Sequence, residues 1–372
     1  MSAPWNGRPP FRADHVGSLL RPAALRQAFR RHQAGEIDDV EFTRVQDQCI
    51  GDAVRMQQDI GFKVVTDGEF RRASYWGRFV ERTDGFEIRP AAFKFHDDRG
   101  HEIDFTTPYA VGKIRRSRPL AVDEFGFLIR EAKALPKATI PAPSSMHIFA
   151  GKHFAEPAIY RDLEAFFSDL AKVYQAEIAA LVEAGCRYIQ MDEVALAMLC
   201  DEAVRVQITQ QGQDPNLLVD TYIDAINAAL ANRPNAVAVG VHVCRGNFKG
   251  HYLSGGGYDR IAERFFARTD ATHFLLEYDS ARAGDFAPLR FIPKRKGVVL
   301  GLLSSKTPEL ECLDLLRRRV DQASAYIDVD RLAISPQCGF ASTVAGNPVT
   351  ETDQRAKLTR VVEAARSIWG HA

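Results

Sequence analysis

The sequence predicts one elaborated (β/α)8 barrel of the TIM type across residues 1–372, with a β-hairpin insertion near residues 86–114. Three observations predict this α/β fold class. Short β-rich runs alternate with helical patterns, no long Pro/Gly/Ser linker divides the chain, and no fixed-period repeat is visible. The composition, 46% hydrophobic and 26% charged, is ample for a large core. A doubly wound sheet is the alternative architecture.

The candidate strands number one more than an eightfold barrel needs. They cover residues 11–17, 62–69, 109–114, 138–144, 188–194, 238–244, 274–279, 298–304 and 332–337. Between residues 86 and 114, polar and apolar residues alternate around an Asp-Asp-Arg-Gly turn, so we assign the run 109–114 to a hairpin. The clearest helix covers residues 161–184, where apolar residues recur at helical spacing before Gly185.

The charge balance and the cysteines exclude several classes of protein. Lys+Arg and Asp+Glu are both 48, so nothing indicates a nucleic-acid or anionic-membrane partner. No run approaches the roughly 20 apolar residues of a membrane span, and the N-terminus has arginines and prolines where a secretory signal needs an apolar stretch. Six scattered cysteines fit a reducing compartment. We expect a cytoplasmic protein with small-molecule partners and an oligomeric state that the sequence leaves open.

Polar side chains stand at the ends of several predicted strands, where the chemistry of a barrel collects. In the run VGVHVCRGNF (239–248), strand alternation turns His242 and Cys244 to one face. Glu277 and Cys338 follow later strands, and imidazole, thiolate and carboxylate are all zinc donors. Spacing alone leaves other interpretations open, because a buried cysteine, a hydrogen-bonded histidine or an ion-paired glutamate is common in proteins.

Several ordered motifs carry a family resemblance. HVCRGN, LLEYDS and SPQCGF, with DHVGSLLRP, VTDGEF and YIQMDEVAL, resemble the catalytic half of cobalamin-independent methionine synthase, and more closely its short single-barrel homologues. The resemblance runs from about Phe11 to the end of the chain. It implies a (β/α)8 barrel that binds zinc. The implied zinc ligands, which would also be the catalytic residues, are His242, Cys244, Glu277 and Cys338.

The resemblance also implies the substrate. The acceptor would be homocysteine, whose sulfur binds the metal and receives a methyl group to form methionine. Glu69 and Asp192 would hold its ammonium group, and backbone groups around Gly17 and Ser18 its carboxylate. The chemistry agrees, because metal coordination deprotonates a thiol whose free pKa is about 8.5. Taken singly, each of these acidic residues could instead pair with an arginine such as Arg72.

Departures from the family pattern concern the methyl donor. Where the family stacks a folate pterin on a tryptophan, this chain has Pro143 or Ser144, and where the family has a proposed proton-donor histidine it has Leu303 and Ser304. His147 is a possible substitute or a structural histidine. The duplicated N-terminal half of the long enzymes is also expected to be absent. Methylfolate is therefore only one candidate donor.

Three other functions stay open. The chain could transfer an alkyl group to another thiol, as the related epoxide:coenzyme M transferases do. It could be a Cys/His hydrolase, although no G-x-S-x-G elbow is present and two side chains on one strand face are better arranged to meet at a metal. It could also be a non-catalytic module with a structural zinc, but such sites are usually rich in cysteine and local in sequence.

Overall fold

A six-stranded parallel sheet forms the centre of the molecule, which a computed structural model describes for residues 7–372. The strands follow one another in chain order, and each is parallel to its neighbours. They are β7 (Ala138–Pro141), β8 (Tyr188–Glu193), β9 (Ala238–Val243), β10 (His273–Glu277), β11 (Gly297–Leu303) and β12 (Leu332–Pro336). Almost every residue in them is buried, as expected for a parallel sheet covered by helices.

Two further parallel segments extend the sheet at its edges. Ala13 bridges Ile334 of β12, and the short strand β1 (Val64–Val65) pairs with β6 (Leu135–Pro136), which runs directly towards β7. The resulting order of eight segments is the order expected for a (β/α)8 barrel. A hydrogen bond of 3.1 Å from Leu19 N to Gly68 O joins the two edges. No ladder pairs these edges within residues 7–372, so closure of the barrel stays a prediction.

The helices lie between the strands, as the alternating pattern predicts. They are α1 (Ala23–Gln33), α2 (Asp39–Ile60), α3 (Gly77–Glu81), α4 (Val122–Glu131), α5 (Leu163–Glu183), α6 (Ala195–Met198), α7 (Glu202–Gln210), α8 (Pro215–Leu230), α9 (Asp259–Arg268), α10 (Leu313–Ser324) and α11 (Glu351–Trp369). Helix α5 begins at the cap Asp162, whose carboxylate accepts from Ala165 N at 2.8 Å, within two residues of the predicted bounds. No helix in the described part of the chain is both long enough and apolar enough to cross a membrane.

The predicted hairpin insertion is confirmed and slightly longer than expected. Strands β2 (Thr83–Pro90) and β5 (Thr106–Arg116) pair in antiparallel fashion, and β3 (Phe95–His96) pairs with β4 (Glu102–Ile103) at the tip. Asp97 caps the tip turn by accepting backbone hydrogen bonds from Arg99 and His101, both at 2.9 Å. The hairpin turns Phe95 inward, towards the carboxyl ends of the parallel strands.

The first two strands are much shorter in the structure than the sequence predicts. Residues 11–17 contribute a single bridge, and of residues 62–69 only Val64–Val65 forms a ladder. The backbone explains both endings, because Gly17, Gly68 and Glu69 have φ values of 131°, 68° and 60°. A positive φ is incompatible with an extended strand, and in Glu69 it is unusual for a residue with a side chain. These turns direct the backbone towards the carboxyl ends of the parallel strands.

Candidate metal centre and acceptor site

Three of the four predicted zinc ligands meet at the carboxyl ends of the strands. His242 lies on β9 and Cys244 directly follows it, whereas Cys338 follows β12. One donor atom from each of these three buried side chains lies within 4.8 Å of the other two. The sulfur atoms of Cys338 and Cys244 are 3.7 Å apart. The alternation of side chains along β9 therefore places His242 and Cys244 together, as the sequence predicts.

The geometry of this cluster fits a tetrahedral zinc ion. With Zn–S bonds of about 2.3 Å and tetrahedral angles, two thiolates on one zinc are about 3.8 Å apart. The observed 3.7 Å matches that separation and is too long for a disulfide. Both ring nitrogens of His242 are buried without a hydrogen-bond partner, which is unfavourable unless a ligand occupies the cluster. The residues present therefore fit zinc.

The pKa values of the two thiols depend on each other. The hydrogen bond between Cys338 and Cys244 lowers the pKa of Cys338 well below that of an ordinary thiol, against the opposing effect of burial, and His242 adds to the lowering. Burial lowers the pKa of His242, but the adjacent Cys338, with the charges of Asp192 and Glu277, outweighs burial and raises that pKa. Of the two thiols, Cys338 is therefore the more acidic.

The fourth predicted ligand, Glu277, stands outside the three-residue cluster. Its carboxylate accepts a hydrogen bond of 2.7 Å from Arg245 N, and Arg282 lies 3.4 Å from the other oxygen. Burial raises the pKa of Glu277, but Lys306 and then the two arginines outweigh burial and hold it below its usual value. Glu277 is ionised and close to the cluster, and its role as a ligand stays a prediction.

Lys306 is a residue of the site that sequence reasoning missed. It is 7% exposed, its ammonium group has no hydrogen-bond partner, and its charge acts on Glu277, Asp279 and Cys338. A buried lysine without a partner is a strong signal in a structure. The sequence shows only a lysine in the loop SSKTP, which resembles a solvated turn.

Both predicted ammonium-binding carboxylates line the same cavity as the cysteines and the histidine. Asp192 is the register partner of His242 on the neighbouring strand. Glu69 Oε1 accepts from the Thr139 hydroxyl at 2.9 Å and lies 3.6 Å from Arg72, while its Oε2 is buried without a partner. Burial, with the adjacent charge of Glu69, raises the pKa of Asp192 to about 7.

The predicted carboxylate-binding turn borders this cavity. Ser18 lines it, and Ser18 O accepts a hydrogen bond of 2.8 Å from Phe340 N. At Gly17 a side chain would lie 2.8 Å from the Thr139 methyl group, and at Gly339 it would lie 1.9 Å from Ser18 Oγ. The turn after residue 16 and the loop after β12 therefore approach each other more closely than any residue but glycine permits.

Much of the remaining lining of the cavity is aromatic. Tyr75, Phe95, Phe105, Phe149 and Phe248 line the same cavity, of about 50 Å³, as the histidine and the two cysteines. The rings of Phe95, Phe105 and Phe248 pack edge to face or tilted, with centroids 5.0–5.4 Å apart. Of Tyr75 and its neighbour Trp76, Tyr75 lines the cavity and Trp76 does not.

The other positions considered for donor chemistry have structural partners. His147 is fully buried, its Nδ1 is 2.7 Å from the Tyr222 hydroxyl, and burial lowers its pKa to about 3. Ser144 donates a hydrogen bond to Glu193, whose pKa burial raises to about 7. Leu303 ends β11 and Ser304 N donates to Glu311 at 2.7 Å. None of them lines the cavity beside the cysteines.

The fold and the cluster together define a class of α/β protein with a thiolate- and imidazole-lined site at the carboxyl ends of its strands. Residues 11–367 match the family described as the catalytic domain of cobalamin-independent synthase. The chain belongs to that family.

Individual relatives agree with this assignment. The chain is 40% identical to uncharacterized protein YxjH of Bacillus subtilis, over 97% of this chain and 95% of that protein. It is 27% identical to a methionine synthase of Pyrococcus abyssi, over 87% and 85% of the two chains.

Solved structures share the fold. A putative vitamin-B12-independent methionine synthase from Listeria monocytogenes aligns with a TM-score of 0.77 at 32% identity, covering 98% of this chain and 99% of that one. A B12-independent methionine synthase from Shewanella sp. W3-18-1, in complex with selenomethionine, aligns with a TM-score of 0.73 at 18% identity, covering 96% and 97%.

Proposed function

We propose that this protein is a zinc-dependent methyltransferase that methylates the thiol of homocysteine to form methionine. The observation that carries the proposal is the convergence of His242, Cys244 and Cys338 beside two carboxylates in one cavity. In this proposal Glu277 is the fourth ligand and the strands close into a single barrel domain. The free cysteines of residues 7–372 suit a cytoplasmic location.

The charges around the cavity favour an amino-acid thiol over a thiol without an amino group. Asp192 and Glu69 provide negative charge for an ammonium group, and the turn at Ser18 provides backbone groups for a carboxylate. A thiol such as coenzyme M would leave Asp192 buried without a cation, whereas Glu69 already has Arg72 at 3.6 Å. The Shewanella enzyme, which shares this fold, was solved in complex with selenomethionine, an amino acid.

Each part of the site has one task in the proposed reaction. Zinc, when bound, would keep the acceptor sulfur deprotonated at neutral pH. Glu69, Asp192 and the turn at Ser18 orient the amino acid so that its sulfur points away from them. The sulfur then attacks the methyl group, a C–S bond forms, and the electron pair of the broken bond leaves with the donor. The aromatic lining excludes water from the approach of the methyl group.

Zinc content and turnover, measured separately, test the proposal. Zinc-loaded protein is incubated with homocysteine and each of methylfolate mono- and polyglutamate, methylcobalamin and S-methylmethionine, and methionine is measured. We expect methionine from at least one donor. Chelation should abolish its formation while the circular dichroism spectrum stays folded, whereas unfolding on chelation would indicate a structural zinc instead.

Cysteine variants provide the matched control. Cys338→Ser should lose both zinc and methyl transfer, whereas Cys312→Ser removes an exposed thiol and should lose neither. Full zinc occupancy and normal turnover in Cys338→Ser and Cys244→Ser would contradict the metal centre.

A further inference from the structure

A buried hydrogen-bonded chain lies beneath the acceptor side of the cavity. Lys137, between β6 and β7, is fully buried and its ammonium group donates to Gln190 Oε1 at 2.9 Å, to Asp14 Oδ1 at 2.8 Å, and to His15 O. Gln190, on β8, uses its amide nitrogen to donate to Asp192 Oδ1 at 2.7 Å and to Val16 O. This series of hydrogen-bonded side chains thus reaches the cavity from the interior of the sheet.

This chain allows only one orientation of the Gln190 amide. A lysine ammonium group has donors and no acceptor, so the atom of Gln190 that faces Lys137 must be the amide oxygen. Both N–H groups then point the other way, towards Asp192 and Val16 O. In the opposite orientation three oxygens would meet at Asp192 and Val16, and the NH2 group would face an ammonium group.

The same two side chains connect both halves of the proposed amino-acid site. Lys137 donates a hydrogen bond to His15 O and Gln190 donates one to Val16 O. These are the two backbone carbonyls just before Gly17 and the turn at Ser18. Gln190 also donates a hydrogen bond to Asp192, the carboxylate proposed to bind the ammonium group. The distance between the carboxylate-binding turn and the ammonium-binding carboxylate therefore depends on this pair.

Deeper partners fix Lys137 itself. Asp14 Oδ2 accepts from the Tyr188 hydroxyl at 2.6 Å, and that hydroxyl is 2.7 Å from His273 Nε2. A tyrosine has one hydroxyl hydrogen, so the hydrogen between Tyr188 and His273 belongs to the imidazole. Every polar group along the chain is satisfied, which makes the arrangement rigid.

We propose that Lys137 and Gln190 are positioning residues that set the geometry of amino-acid recognition, Gln190 by directing its amide N–H at Asp192 and Lys137 by fixing the orientation of that amide. This inference rests on the proposed function, because it assigns the acceptor ammonium group to Asp192. Neither residue touches the proposed ligand. Outer partners of this kind typically change the affinity of a site about 10- to 100-fold when they are removed.

A double-mutant cycle tests the proposal. Binding of homocysteine and of methionine to zinc-loaded protein is measured by calorimetry for wild type, Gln190→Met, Asp192→Asn and the double variant. We expect Gln190→Met to weaken binding about tenfold in the wild-type background, with zinc content unchanged. In the Asp192→Asn background the same substitution should change binding less than twofold, because residues that act through one another are not additive.

Lysine variants separate positioning from general stability. Lys137→Met should raise the homocysteine KM about tenfold with little change in kcat. Lys296→Met is the matched control, since Lys296 is another buried lysine, bonded to the carbonyls of Phe266 and Thr269 next to the start of β11. It should leave that KM unchanged. If Lys137→Met does not fold, the Gln190 cycle decides alone.

The two proposals fail in different ways. Gln190→Met with wild-type affinity, or an equal loss in both backgrounds of the cycle, would overturn the positioning role while wild type still made methionine. A wild-type protein that binds neither homocysteine nor methionine would overturn the proposed function itself.

Discussion

The two carboxylates of the acceptor site should contribute unequally to binding. No lysine or arginine nitrogen of residues 7–372 lies within 4.0 Å of the Asp192 carboxylate, whose nearest donor is the neutral amide of Gln190. Glu69 already has Arg72 at 3.6 Å and the Thr139 hydroxyl at 2.9 Å. Asp192 therefore lacks the cationic partner that Glu69 has, and because burial raises its pKa to about 7, an ammonium group beside it would stabilise its ionised form.

The size of the difference follows from the chemistry of that contact. A hydrogen bond to a charged group contributes about 1.5–3 kcal/mol. Since 1.4 kcal/mol is tenfold in affinity, Asp192→Asn should weaken homocysteine binding about 10- to 150-fold. Glu69→Gln should weaken it less than Asp192→Asn does, because Arg72 already neutralises much of the charge of Glu69.

Calorimetry with two thiols measures this difference. Homocysteine and 4-mercaptobutanoate, which lacks the amino group, are titrated into zinc-loaded wild type, Asp192→Asn and Glu69→Gln, and zinc content is determined for each. Asp192→Asn should lose affinity for homocysteine alone. Equal losses for the two thiols, or a larger effect of Glu69→Gln, would refute the assignment of the ammonium group to Asp192.

Three other predictions concern stability and the metal. The pKa of the His147 imidazole is about 3 in the fold against 6.5 when exposed, so below pH 6.5 the unfolded chain binds a proton that the folded chain does not. As the pH falls below 6.5, protonation of this residue in the unfolded chain should lower the free energy of unfolding by up to about 1.4 kcal/mol per pH unit. Urea titrations of His147→Gln should therefore show a shallower decline of that free energy with falling pH. Arg72→Met removes the guanidinium 2.7 Å from the buried carboxylate of Glu124 and leaves Arg78, at 2.9 Å, as its remaining cation, so it should destabilise the fold by about 1.5–3 kcal/mol in urea unfolding. Gly339→Ala places a methyl group 1.9 Å from Ser18 Oγ, so it should displace the loop that carries a zinc ligand and lower zinc occupancy.

Matched substitutions give the expected background for these changes. Arg44→Met breaks an exposed ion pair with Glu41 and should leave urea unfolding unchanged. Gly126→Ala, on a helix where the nearest atom to the new methyl group is 4.0 Å away, should leave zinc occupancy unchanged. Equal unfolding free energies in Arg72→Met and Arg44→Met would contradict the stabilisation assigned to the buried ion pair of Arg72. Equal zinc occupancy in Gly339→Ala and Gly126→Ala would contradict the close approach of Gly339 to Ser18.

Alternation and turn chemistry made the middle of the chain predictable. The period of two along β9 places His242 and Cys244 on one face, and the hairpin follows from its alternating pattern around the Asp-Asp-Arg-Gly turn. These features depend on neighbours in sequence. The convergence of Cys338 with Cys244 depends on the order of the parallel strands, and only the resemblance to a family supplied it.

Other features of the site depend on contacts that the sequence does not display. The β-rich runs at 11–17 and 62–69 predict full strands, but positive φ values at Gly17 and Glu69 end them early. The ammonium group of Lys306 is buried without a hydrogen-bond partner, beside residues far from it in the chain. The hydrogen bond from Lys137 to Gln190 likewise joins residues that are distant in sequence. Such side chains resemble ordinary surface lysines and glutamines until the fold buries them.

The placement of the two halves of the cavity explains why the acceptor can be assigned with more detail than the donor. The metal cluster and the acceptor carboxylates stand on strand ends, where the packed sheet fixes each side chain within a buried network. The aromatic lining comes partly from the hairpin insertion, through Phe95 and Phe105. A hairpin can change in length and composition without disturbing the parallel sheet, because its strands pair with each other. Changes of methyl donor within this fold should therefore accompany changes in the hairpin, while the thiol-binding half stays the same.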